Sequence, residues 1–487
     1  MWNRLFHGRG SSLLATMTVS AVTLYIIASI VIMRLLGTYS LLVIVAVILL
    51  PLLVYFFFSD GSQLVLAYLA LLPIIQHLST HAVIEAGDFF VTPHMVFQLL
   101  ILIVAMNSFI HTYDGRKNRQ LNDLDKSLLL FVVLTFFSLI YGYALPVNHE
   151  KRWLLFYTGI FETSTFYAIV VYLVSRREDL TRKILIAFAI SSFSAALVAF
   201  QELNQVGYSF VDIFVARMRI GFGFHNTNLF GIYSAILFPV VFYSIVSPKF
   251  RRYRLVLGLS FILLTGLSLL CFNRGTFIVL AVELFLLYFI RENRKVIHWF
   301  MFLMLSIVVY FNHFLLFYLF RFFGGEASAA TPYLDTSALY RYEAWKVGLK
   351  LLYLYPFGVG AGGFQYVWQI YGRFPTLYLG TPHELFLSIG VDYGVLAMIT
   401  FIVMLVIAFI YSDKLSKEAS GNPDFEFFKY VKVSIVGFII YGMLTDGELS
   451  HLSGFITPNN GYTLSLFALL AVISVYSRKY LHGTTQA

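Results

Sequence analysis

Of the chain's 487 residues, 59% are hydrophobic and only 12% charged, giving a mean hydropathy of +0.80. A soluble globular protein is about a quarter charged, so the composition points instead to a polytopic membrane protein. The net charge of +9 does not mark a nucleic-acid binder, because the basic residues lie in short clusters between apolar runs, the pattern that orients membrane proteins.

A bilayer core takes about 20 apolar residues per helix. About 14 such runs occur, at roughly 12–33, 38–58, 61–77, 92–110, 127–144, 154–174, 184–201, 228–246, 255–272, 275–290, 298–320, 385–411, 431–445 and 461–477. The first resembles a signal peptide, but its apolar stretch is too long and many more follow, so an uncleaved first span is expected. Basic clusters fall at Arg116/Lys117/Arg119, Arg176/Arg177/Arg182/Lys183, Lys249/Arg251/Arg252/Arg254, Arg291/Arg294/Lys295 and Lys414/Lys417. Each follows an even-numbered span. These loops and both termini are therefore expected on the cytoplasmic side, with the alternate loops outside. The outer loop at about 321–384 is much the longest and should carry structure of its own.

The expected fold is an all-α polytopic membrane helical bundle with this partly helical outer loop. It forms a single integral membrane domain over 1–487. Residues 1–216 hold N-terminal spans, 217–410 a core that includes the loop, and 411–487 C-terminal spans. There is no Walker loop, no dinucleotide fingerprint and no internal repeat. Asp123-Leu-Asp125 has the acid-x-acid form of some metal-dependent sugar transferases, yet no domain surrounds it, and it reads as a solvated charged loop. Cys271 is the only cysteine, so the chain cannot form an internal disulfide or a thiolate metal cluster. His225, His313 and His451 show no ligand spacing, so neither a metal nor another cofactor is expected.

The outer loops gather the residues suited to chemistry. Arg217 and Arg219 precede GFGFHNTN, Arg274 lies in a tight turn between spans, and Arg341 opens RYEAW. A single arginine at a span end commonly snorkels to the interface. Several on one face suit a phosphate-bearing ligand, since guanidinium binds phosphate oxygens in forked pairs and keeps its charge. Glu162 and Glu283 fall inside spans, where carboxylates are costly and are often functional. In TPHELFLSIG, Thr381 at the N-cap, Pro382 at the first position and Glu384 three after the cap read as a helix start. His383 would then lie in the first turn, where the helix dipole disfavours the imidazolium and leaves a neutral proton acceptor.

Three segments resemble the O-antigen ligase/polymerase family of bacterial envelope glycan enzymes. They are Arg219-Ile-Gly-Phe-Gly-Phe-His-Asn-Thr-Asn228; Asn273-Arg274-Gly275, where the family usually has Ser-Arg-Gly; and Arg341-Tyr-Glu-Ala-Trp345 followed by Pro356-Phe-Gly-Val-Gly-Ala-Gly-Gly-Phe364 and Pro382-His-Glu-Leu-Phe-Leu387. The resemblance covers about 217–410. It departs at Glu384, where the family usually has Asn, and at Asn273.

What the resemblance implies is a metal-independent, inverting glycosyltransferase of GT-C-like fold in the bacterial cytoplasmic membrane. Its donor would be an undecaprenyl-diphosphate-linked glycan and its acceptor a glycan hydroxyl. Flippase and chain-length partners would work alongside it, and no nucleic acid would bind. By position, Arg219, Arg274 and Arg341 would bind the donor diphosphate and His383 would be the base, with Glu384, Asn228 and Arg217 in support. A polymerase of repeat units is the first expectation, a ligase passing finished glycan to a lipid or protein is the second, and a transporter or flippase the third.

Overall fold

The computed structural model describes residues 62–81, 84–86, 89–91, 94, 97–103, 121–145, 155–177, 179–206, 221–224, 226–271, 273–290, 293–310, 336–372, 381–418, 423–444 and 461–481. The expected spans at 12–33 and 38–58 lie outside these residues, as do Arg217, Arg219, His225, His313 and His451, and the basic cluster at 116–119.

The described chain is helical except for an antiparallel hairpin of β1 (Ile84–Ala86) and β2 (Phe89–Val91), with Ile84 opposite Val91. The helices are α1 (Ser62–His81), α2 (Asp123–Ala144), α3 (Glu162–Arg176, entered by a π turn at Tyr157–Phe161), α4 (Asp179–Val206), α5 (Thr227–Val246), α6 (Arg254–Leu270, entered by a 3-10 turn at Pro248–Tyr253), α7 (Arg274–Tyr288), α8 (Arg294–Tyr310), α9 (Thr336–Leu354), α10 (Phe364–Tyr371), α11 (Leu385–Tyr393), α12 (Val395–Glu418), α13 (Pro423–Leu444) and α14 (Gly461–Tyr480). Among the described residues, nine helical segments are long and apolar enough to cross a membrane. The all-α polytopic membrane bundle expected from the sequence is thus the observed fold. The run at 385–411 is a short helix and a long one, because Gly394 breaks it at φ 95°.

Helices α5 and α14 are apolar all round and buried on nearly every face, so they form the centre. Around them, α2 exposes Leu129, Leu130, Val133 and Phe137, and α6 exposes Leu255, Val256, Leu259 and Ile262. Such surfaces suit lipid tails rather than water.

At one end of the bundle, α2 is locked to α3 and α14. Asp125 Oδ1 accepts from the Tyr167 hydroxyl at 2.7 Å, the Ser474 hydroxyl at 2.8 Å and Arg478 Nη2 at 2.8 Å. Its Oδ2 accepts the Asn122 N–H, completing a capping box with Asn122. The expectation of a solvated Asp123-Leu-Asp125 loop is therefore corrected. Asp125 is 7% exposed and its charge is met by Arg478, a partner that lies far away in sequence. Only Asp123 is on the surface, paired with Lys126.

The described part of the long outer loop forms its own small core. Ala344, Val347 and Leu351 of α9 pack with Phe364 and Trp368 of α10, and with Leu387 and Val391 of α11. Gly348 makes the close approach possible, since a Cβ there would lie 2.8 Å from Leu387 Cδ2.

Candidate functional site

The other end of the bundle collects the motif residues. Asn226 caps α5 and Asn273 caps α7, each accepting a backbone N–H two residues ahead. The Asn273 side-chain amide donates to Asn228 Oδ1 and, at 2.9 Å, to the Tyr441 hydroxyl in the last turn of α13. Thr276 Oγ1 lies 3.3 Å from the same hydroxyl. Gly231 leaves room for the cluster, because a Cβ there would fall 2.1 Å from the Tyr441 oxygen. The first two motifs are thereby joined, with Tyr441 as the hub.

Arg274 is the first residue of α7 and is exposed. A guanidinium at a helix N-terminus adds to the positive end of the dipole. That combination favours an anion.

The start of α11, which follows His383 by two residues, packs on the same turn of α13. Gly442, next to Tyr441, receives the start of α11, where a Cβ would lie 2.9 Å from Leu385 Cδ2 and 3.5 Å from Phe386 Cε2. The helix does not begin as the sequence suggested. Its N-cap is Glu384, whose carboxylate accepts the N–H groups of Phe386 and Leu387. Thr381 Oγ1 instead accepts the His383 N–H at 3.1 Å, and His383 itself has φ 59°. His383 thus stands in the turn before the helix, half-buried, in a left-handed conformation that a surrounding structure must hold. Thr381 and Pro382 are buried beneath it. Burial raises the Glu384 carboxyl above its usual 4.5, against the pull of the two N–H groups. The family's usual Asn is among the strongest N-cap residues. Glu384 fills the same capping role with a longer arm.

The glycine-rich segment after α9 clasps the α11–α12 break. Val359 N–H donates to Val391 O at 2.8 Å, Gly360 N–H to Asp392 O at 3.0 Å and Val395 N–H to Pro356 O at 2.9 Å. Gly358 and Gly360 both have φ 87°, and a Cβ on Gly358 would lie 2.6 Å from Asp392 O. These glycines permit backbone-to-backbone contact. Arg341 is half-buried on α9, the helix that this clasp carries.

Sequence reasoning missed Glu202, His77, His94 and Tyr441. Glu202 accepts the N–H groups of Phe222 and Gly223 at 3.2 and 3.3 Å and pairs with His77 Nδ1 at 3.3 Å. It therefore anchors the turn that follows Arg219. A carboxylate inside the apolar run of α4 was the available signal. Glu162, which falls inside an expected span, lies 2.7 Å from Nε2 of the buried His94. The Tyr68 hydroxyl reaches His94 Nδ1 at 2.7 Å, and Gln98 donates to that hydroxyl at 2.9 Å. Glu283 is fully buried against Gly437, with no hydrogen-bond partner for either oxygen among the described residues. No group of three or more His, Cys, Asp or Glu able to hold a metal occurs among the described residues.

Residues 259–402 match the family model of the O-antigen ligase. No curated protein matches the chain. The matched span runs from α6 into α12 and holds Asn273, Arg274, Arg341, the glycine clasp and His383. Over that span the chain is similar to the O-antigen ligase family, and its nine apolar helical segments among the described residues are those of a multi-pass membrane protein.

Proposed function

We propose that the protein is an inverting glycosyltransferase that polymerises undecaprenyl-diphosphate-linked repeat units of a surface polysaccharide. The observation that carries this reading is the meeting of two motifs on neighbouring residues of α13. Tyr441 holds the Asn273 cap beside Arg274, and Gly442 receives the helix start beside His383. Arg341 lies on α9, which packs against α11, and Arg219 precedes the turn that Glu202 holds.

In this reaction His383 takes the proton of the acceptor hydroxyl. The freed oxygen attacks the anomeric carbon from the face opposite the diphosphate, and the bond from that carbon to the phosphate oxygen breaks. Arg274, Arg219 and Arg341 stabilise the charge left on the diphosphate. Asn228 and Asn273 fix the start of α7, and Glu384 fixes that of α11. The leaving group departs already charged, so the residues named suffice without a metal.

The site is proposed to face outward, with the basic clusters in the cytoplasm. In a Cys271→Ala background, Tyr353→Cys on α9 should react with an impermeant thiol reagent in intact cells, and Lys414→Cys should not. The reverse pattern would overturn the orientation.

A ligase is the second reading, favoured by the description of the matched family. Purified protein incubated with lipid-linked repeat units separates the two. A ladder of products supports the polymerase. A single product on an added acceptor supports the ligase, and the absence of any product would sink the enzymatic reading in favour of transport.

A further inference from the structure

At the end of the bundle opposite His383, a cavity of about 440 Å³ opens between the ends of α4, α5, α13 and α14. Its cationic wall is Arg182 and Lys249. Arg182 is held in place, donating to the Lys249 carbonyl at 3.1 Å while its guanidinium lies 5.3 Å from the centre of the Phe250 ring. Tyr243 and Tyr476 line the cavity on its aromatic side. Thr181, also in the lining, is 8% exposed, and its hydroxyl has no partner among the described residues. Thr181 and Arg182 belong to the first turn of α4, where backbone N–H groups are left unpaired by the helix. Asp179 is the one acidic lining residue, and Lys183 pairs with it at 2.6 Å. Arg251, Arg252 and Arg254 follow directly in the chain.

We propose that this cavity binds the phosphate head group of an anionic membrane lipid. A fixed guanidinium, a lysine, a buried hydroxyl left unpaired and a helix N-terminus all suit a phosphate. The aromatic side suits the glycerol and first acyl carbons. Position selects a lipid over a free anion, since the cavity lies at the strongly basic end of the membrane helices, where acidic lipids gather. This site shares no residue with the proposed transferase chemistry.

The test is native mass spectrometry of delipidated, monodisperse protein titrated with phosphatidylglycerol, phosphatidylcholine or inorganic phosphate. Wild type should retain phosphatidylglycerol over phosphatidylcholine. The Arg182→Gln/Lys249→Gln double variant should bind phosphatidylglycerol about 30-fold more weakly, from two lost basic residues near the membrane surface. Thr181→Val, which leaves the charge intact, should lose part of the affinity and serves if the double variant does not fold. Lys414→Gln, at the same end but outside the cavity, should change nothing. Equal retention of the two lipids, or wild-type affinity in both cavity variants, would overturn the site. Competition by inorganic phosphate would overturn the lipid as its occupant.

Discussion

Asn273 and Tyr441, 168 residues apart in the chain, share a hydrogen bond of 2.9 Å that ties the start of α7 to the end of α13. Tyr441 is fully buried and lies outside the 259–402 match. Tyr441→Phe removes the oxygen that serves both Asn273 and Thr276. The variant should lose about 1–3 kcal/mol of stability, the cost of leaving buried polar groups unmet. Its KM for the lipid-linked donor should rise through the displaced Arg274. A variant with normal melting and normal donor KM would detach Tyr441 from the site.

Arg274→Lys keeps the charge but not the fork. Turnover at limiting donor should fall about 10- to 100-fold, in line with the loss of one charge-assisted contact. An arginine that only anchors the helix at the interface would be replaced by lysine at little cost. Wild-type rates in the variant would therefore reject the diphosphate role.

His383 needs a substitution that respects its backbone. At φ 59°, alanine strains the turn, whereas asparagine tolerates left-handed geometry. His383→Asn should fold and bind donor as the wild type does, yet turn over about 10²–10⁴-fold more slowly, the usual worth of a positioned base. Near-normal specific activity of purified His383→Asn would reduce the residue to a turn former.

Glu384 adds a pH dependence of opposite sign to that of a paired carboxylate. Its pKa is raised in the folded state by burial. The group therefore contributes stability that is fully present below the ordinary carboxyl value of 4.5 and is lost as pH climbs through the raised one. Melting of the wild type should improve on acidification relative to Glu384→Gln, which has no charge to desolvate. A constant difference between the two proteins from pH 7 down to pH 4, on the order of the measurement error, would refute the burial argument.

Gly394→Ala tests the clasp. The position has φ 95°, and a Cβ would meet Phe357 C at 2.7 Å and Pro356 O at 2.8 Å, both backbone atoms. The variant should lose at least about 2 kcal/mol, from strain and from the broken Val395–Pro356 contact. Proteolysis should then open the 336–372 segment before the bundle unfolds. Unchanged melting would show that the glycine turn is not needed to seat α9 and α10.

The sequence by itself determined that the chain is a helical membrane protein and where most described spans lie, and it singled out Arg274, Arg341 and His383 as candidates. Those features are local. Apolar length makes a span, clustered Lys and Arg mark one side of the membrane, and a short motif retains its order in any fold. The tertiary structure decided what the local signals left open or misread. Thr381-Pro-His-Glu looks like a capping box, but α11 begins three residues later, because Glu384 caps it and Gly442 of α13 receives its first residues. Asp125 looks solvated beside Asp123, yet Arg478, 353 residues along the chain, takes its charge. Gly358, one of the motif glycines, meets the backbone of Asp392 and Gly394. In each case the deciding atom belongs to a distant helix, and only packing brings it within hydrogen-bond or van der Waals range.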